Sequence, residues 1–182
     1  LRLNRGAEAE SAAGRALRLF RRAQHDTETA SCLGVLGGVA LQEGRPGRAA
    51  TFFRDAQRRE AAAGNPSGAA LHGVGVAQAE IQRGRPRAGA AVAKRSAAVF
   101  GSLKLASRQA RALAVAAEGL RRAGDAGNAR RFAERAASLA GQRGDRRSEL
   151  AGLLVLARVE ETAGRHEEAQ VRCGETLGPQ SL

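Results

Sequence analysis

The stretch that decides the fold is Leu33-Gly34-Val35-Leu36-Gly37-Gly38-Val39-Ala40-Leu41-Gln42-Glu43-Gly44-Arg45-Pro46-Gly47-Arg48-Ala49-Ala50-Thr51-Phe52-Phe53-Arg54-Asp55-Ala56. Leu33, Leu36, Gly37 and Ala40 fall at i, i+3, i+4 and i+7, one apolar stripe of a helix. Gly44 follows where a helix end wants a residue able to take φ > 0, and Pro46 stops the helix from continuing. Ala49, Phe53 and Ala56, at i, i+4 and i+7, start a second stripe. Two amphipathic helices joined by a short turn pack as antiparallel neighbours.

The pattern recurs every 40 residues, at Gly44, Gly84, Gly124 and Gly164. The first stripe returns as Gly73, Val76, Ala77 and Glu80, then Leu113, Ala116, Ala117 and Leu120, then Leu153, Leu156, Ala157 and Glu160. The second returns as Gly89, Ala93 and Ser96, then Ala129, Ala133 and Ala136, then Ala169, Cys173 and Thr176, with Ala9, Ala13 and Ala16 as an earlier copy. Every first stripe has Gly or Ala as its third member, which lets a neighbouring helix come close. About nine helices are expected: 7–23, 30–43, 47–63, 68–83, 87–100, 106–123, 127–140, 147–163 and 166–177. They form one array over 1–182: a half repeat at 7–29, then repeats 30–69, 70–109, 110–149 and 150–182. The fold class is all-α, a helical-hairpin repeat solenoid.

Composition agrees. The 182 residues are 43% hydrophobic and 26% charged, which excludes a low-hydrophobicity disordered chain. Abundant Ala and only 3% aromatics favour close-packed helices. No apolar run reaches the ~20 residues of a membrane helix, and no charged-then-apolar leader is present. Two cysteines, Cys32 and Cys173, cannot make a disulfide scaffold. Leu1 reads as a cut end, and a cytoplasmic protein without membrane contact is expected.

The hairpin of Leu33, Leu36, Gly37, Ala49, Phe53 and Ala56 resembles the tetratricopeptide repeat (TPR). The 40-residue period and linkers such as Gly144-Asp145 are similar to the LGN-like class of that family. The resemblance implies a TPR-like superhelix whose first helices line a concave surface. It also implies a non-catalytic protein–protein interaction scaffold that binds a peptide or protein domain. The stripe beside 33/36/37/40 then gives the concave-face residues: Gly34, Gly38 and Leu41; Val74, Gln78 and Ile81; Ala114, Glu118 and Arg121; Leu154, Arg158 and Glu161. Where LGN-like repeats hold a peptide backbone with Asn, this sequence has Cys32, His72, Ala112 and Gly152, so that mode of holding is not supplied. Gly73, Glu80 and Gly89 depart from the pattern and mark the second repeat as the weakest.

Net charge is +12, concentrated centrally: +6 over residues 70–109 and +4 over 110–149, against −2 over 150–182. Such a belt suits an acidic peptide or a phosphate backbone. Coding bias toward Arg and a solvated helix face are the competing explanations. Two alternatives therefore stand beside the scaffold: a nucleic-acid-binding array, and a sensor module cut from a larger bacterial transcription regulator or signalling ATPase. Arg83-Gly84-Arg85-Pro86-Arg87 has the core of an AT-hook, a minor-groove reader, but Gly84 belongs to the periodic turns. Gly73-Val74-Gly75 lacks the preceding strand of a dinucleotide site. His25, His72 and His166 are far apart, and Glu167-Glu168 suits a helix N-terminus. No enzyme, cofactor or metal site is expected. The partner is a protein or peptide, with an acidic one favoured by charge, and end-to-end self-association remains open because the terminal helices have no capping neighbours.

Overall fold

A computed structural model describes residues 2–162 and gives eight α-helices and no strand among them. They are α1 (Arg2–Arg22), α2 (Asp26–Gln42), α3 (Pro46–Ala62), α4 (Pro66–Gln82), α5 (Pro86–Ser102), α6 (Ala106–Arg122), α7 (Ala126–Gly141) and α8 (Arg146–Thr162). The expected helix at 166–177 lies outside the described residues. By internal contacts the chain divides at Arg85–Pro86 into two compact units, α1–α4 and α5–α8. Within each unit successive helices pack as neighbours, and alternate helices also meet: α2 with α4, and α6 with α8. The all-α hairpin-repeat fold expected from the sequence is therefore the one observed.

The helices start 20 residues apart from α2 to α8, so each 40-residue repeat holds two equal halves. One backbone device makes every turn. Gln24, Gly44, Gly64, Gly84, Lys104, Gly124 and Gly144 all have positive φ, from 56° to 81°. In each turn the residue after this one donates its N–H to a carbonyl five positions back, as Arg45 does to Ala40 (2.8 Å) and Asp145 to Ala140 (3.0 Å). The positive-φ residue itself donates to a carbonyl three back, as Gly44 does to Leu41 (3.2 Å). This is the Schellman motif, which satisfies the carbonyls a helix leaves open at its end. Pro46, Pro66 and Pro86 act differently from expectation. They stand at the first position of the following helix, where a missing N–H costs nothing, and so open it rather than only ending its predecessor. Asn65, Asp125 and Asp145 cap the next helix, accepting from the N–H groups of Gly68, Asn128 and Ser148.

Almost all the predicted stripe positions among the described residues are buried; Leu153, Ala9 and Ala16 are half-buried. In the first unit the Phe53 ring of α3 lies against Gly37 of α2 and Gly75 of α4. A Cβ at either glycine would come within 2.8 Å of the ring. The neighbour that needs Gly37 small is thus an aromatic ring from α3. In the second unit glycine seats backbone instead. A Cβ at Gly152 of α8 would lie 2.8 Å from the Ala137 nitrogen of α7, and one at Gly119 of α6 would lie 2.9 Å from the Pro86 carbonyl oxygen. Around them Ala117, Leu120, Ala129, Ala133, Val155 and Leu156 form a close-packed core.

Candidate functional site

In a stack of hairpins the helices that meet across an intervening one share a face. Here those are α2 with α4, and α6 with α8. Three columns of the repeat stay open on these helices. Ser31, Gly38 and Gln42 on α2, and Leu71, Gln78 and Gln82 on α4, are exposed or half-buried. So are Arg111, Glu118 and Arg122 on α6, and Ala151, Arg158 and Thr162 on α8. Their spacing of i, i+7 and i+11 is one side of a helix. The first unit presents only uncharged groups there, and the second presents four charged ones with Ala151 and Thr162.

The twelve residues expected on the concave face are divided by the structure. Gly38, Gln78, Glu118 and Arg158 lie in the open columns, with Leu41 and Arg121 half-buried beside them, and Leu154 and Glu161 are exposed on α8. Val74, Ile81 and Ala114 are buried and offer no side-chain surface. Gly34 faces the neighbouring first helix. A Cβ there would sit 2.6 Å from the His72 ring of α4. So Gly34 carries helix-to-helix packing. Ser31, Gln42, Leu71, Gln82, Arg111 and Arg122 were missed because the side on which the next helix lands is a tertiary fact. Their one local signal is polarity: most of them are polar or charged residues flanking an apolar stripe.

On the second unit's face, Glu118 accepts from Arg121 through two bonds (2.9 and 3.0 Å) and from Arg122 through one (2.6 Å). Burial pushes the Glu118 carboxyl up, but the bonds from Arg121 and Arg122 outweigh it, and its pKa falls below the usual carboxylate value. The Arg121 guanidinium is raised, first by its bond to Glu118 and further by the charge of Glu161 on α8. The α6–α8 face thus carries a linked set of alternating charges able to pair with a charged segment. The first unit's face has an opening instead. Nothing lies within 4 Å of a Cβ placed at Gly38, so a ligand backbone could approach α2 closely there.

Two of the three AT-hook arginines, Arg83 and Arg85, are committed elsewhere. Arg83 Nη1 and Arg85 Nε lie 3.1 and 3.0 Å from the buried Glu80 carboxylate, which Arg54 of α3 also pairs with. Gly84 has φ 78° in a closed turn, so the segment lacks the extended form a minor-groove reader needs. His72 is buried, with Nε2 3.9 Å from Glu60, while Asn65 donates to the same carboxylate at 2.7 Å. Burial lowers the His72 pKa, and the charge of Glu60 partly opposes that. Burial raises the Cys32 thiol. Among the described residues no three His, Cys, Asp or Glu side chains group as metal ligands, and no helix is long and apolar enough to cross a membrane. His166, Glu167, Glu168 and Cys173 lie outside the described residues.

These features define a TPR-like repeat fold. No protein-family model matches the sequence, and neither does any curated protein. Among solved structures the chain is similar to BtubC (BKLC) from P. vanneervenii, with a TM-score of 0.78 and 18% identity over 100% of this chain and 78% of that one. It is also similar to a Podosopora anserina protein described as a putative kinesin light chain with nearly identical TPR-like repeats. One structure of that protein, a point-substituted form, gives a TM-score of 0.76 at 15% identity over 96% of this chain and 86% of that one. Another gives 0.74 at 15% identity over 96% and 87%. At these identities the likeness is one of fold.

Proposed function

We propose that this chain is a non-catalytic interaction scaffold of the 40-residue, LGN-like TPR class, which holds a peptide or protein domain against its first-helix faces. The observation that carries the reading is the pair of open stripes, one on α2–α4 and one on α6–α8, each set on helices that touch across an intervening helix. The equal 20-residue halves support the class. The division of character supports one mode of binding: close backbone approach at Gly38, and ion pairing at Arg111, Glu118, Arg122 and Arg158. A cytoplasmic location and a role as one module of a larger regulator fit this reading, as does end-to-end association of copies.

The test starts from a displayed library of random peptides, selected on the full chain and measured by calorimetry. Gly38→Arg and Glu118→Arg should each weaken the selected peptides at least tenfold while the melting temperature holds. Peptides that bind both variants as well as the parent would place binding off these faces. Preferential capture of duplex DNA, with affinity falling steeply as salt rises, would replace the reading by the nucleic-acid one.

A further inference from the structure

The repeat contains its own control for a second site, away from the first-helix faces. Positions 80, 120 and 160 are equivalent, one near the end of each of α4, α6 and α8, on the side that packs against the preceding helix in the pairs α3–α4, α5–α6 and α7–α8. Glu80 is buried and meets Arg54, Arg83 and Arg85. Glu160 is fully buried, with Oε1 3.1 Å from Arg130 Nη1 of α7. At both places a buried carboxylate meets one cation from the preceding helix, Arg54 or Arg130, and burial of such a group costs much less beside a partner of opposite charge.

The middle hairpin changes the carboxylate to Leu120 and keeps one of the cation columns, with Ala90, Ala123 and Asp125 standing where the neighbours have Arg130, Arg83 and Arg85. Lys94 of α5 stands in the column of Arg54, and Arg87 lies two helical turns before it on the same face. Neither makes an ion pair within 4 Å among the described residues; Lys94 lies 5.6 Å over the Phe132 ring. The two flank an open cleft of about 510 Å³, floored by Ala90, Ala91 and Leu120 and closed at one end by the turn at Gly124. Small side chains make the space: Ala91 stands where the next hairpin has Arg131, and Ala123 where the previous one has Arg83. Asp125 is at the rim. Its oxygens accept from the N–H (3.2 Å) and side chain (2.8 Å) of Asn128, and its charge also faces Lys94 and Arg87, so the cleft sets two cations against one carboxylate.

We infer that the cleft between α5 and the α6–α7 turn is a binding site for a carboxylate supplied by a partner, an acidic side chain or a peptide C-terminus, received by Arg87 and Lys94 where the neighbouring hairpins use their own Glu80 and Glu160. The inference rests on the scaffold reading only for the source of the carboxylate.

The test is an amide chemical-shift titration of the full chain at low ionic strength. One arm uses C-terminally amidated pentaglutamate and the other pentaglycine with a free C-terminus, which separates side-chain from terminal carboxylates. Shifts should concentrate at residues 87–94 and 120–126 in at least one arm. The double variant Arg87→Gln/Lys94→Gln, at two exposed positions, should weaken that binding at least tenfold. Leu120→Glu restores an internal carboxylate and should weaken it likewise; should that variant fail to fold, the double variant decides. Gly38→Arg should leave it unchanged, so a failed cleft and a failed first-helix face are read separately. Shifts spread over all basic positions, an unaffected double variant, or inorganic phosphate binding the cleft more tightly than either peptide would overturn the inference.

Discussion

Gly37, Phe53 and Gly75 in the first unit and Ala117, Ala133 and Val155 in the second occupy the same three columns of the repeat. The first set puts its volume on the middle helix, as one ring lying on two glycines. The second puts an alanine there and returns the volume to the flanking helices. Seven side-chain carbons do the work in one unit and five in the other. Contact between alternate helices is more extensive where the middle residue is small: α6 lies against α8 over a longer stretch than α2 against α4. The repeat therefore shifts volume from one helix to another rather than conserving any residue, and the two-carbon difference between the units goes with how closely the alternate helices meet. That is what dense interiors require, since a gap or an overlap of even one methylene is felt.

The sharpest way to break this comparison is Phe53→Ala. Without the ring, Gly37 and Gly75 face a cavity, and the loss should be about 3–5 kcal/mol in a denaturant titration. Adding Gly37→Ala and Gly75→Val gives the first unit the second unit's residues and should recover a substantial part of that loss. Gly37→Leu in the parent should overpack against the ring and cost about 1–3 kcal/mol, but much less beside Phe53→Ala. If the single costs simply add, the three positions do not share one volume and the comparison fails.

A smaller effect separates glycines that seat backbone from those that face open space. Gly152→Ala drives a methyl into the α7 backbone at Ala137, which cannot rotate away, and should destabilise by about 1–3 kcal/mol. Gly38→Ala meets nothing and should stabilise by up to about 1 kcal/mol through helix propensity. Equal melting temperatures for the two variants would contradict the contact at Gly152.

How far the sequence was legible follows from the range over which each feature is decided. The helices and the 40-residue register could be read because Leu33, Leu36 and Ala40 repeat a local period. The 20-residue half-period was hidden because two of its seven turns use Gln24 and Lys104 instead of glycine, although the backbone there is the same. Glu80 reads as a departure from an apolar stripe, because Arg54, which partners it, lies on another helix. The open face was half legible for the same reason. Gly38 and Glu118 could be placed by rotation about one helix. That Gly34 lies under His72 depends on where α4 lands.

The turns offer a further contrast, between glycine and non-glycine residues at the same backbone position. A non-glycine residue at positive φ costs about 1–2 kcal/mol, because its Cβ crowds the following carbonyl. Lys104→Gly should therefore raise stability by about 1 kcal/mol, and Gly44→Ala should lower it by a similar amount. Both changes leave the Schellman hydrogen bonds in place, so melting temperature alone measures the conformational cost.

The smallest effect is a difference in pH response. His72 belongs to the first unit, and Ala112 and Gly152 stand in its column in the second. Burial holds the folded pKa of His72 below the ordinary value of 6.5, and Glu60 only partly opposes this. The unfolded chain therefore takes up the proton first as pH falls. The His72 contribution is intact above pH 6.5 and declines as pH drops from there toward the folded pKa. Comparing denaturant midpoints at pH 7.5 and 5.5 should show a loss in the parent and a smaller one in His72→Gln. The difference should appear in the amide exchange of α2–α4 and leave α6–α8 unmoved, since local opening follows local contacts. A parent and variant that lose equal stability over this range would mean that His72 binds its proton as readily in the folded chain as in the unfolded one, with Glu60 offsetting the whole cost of burial.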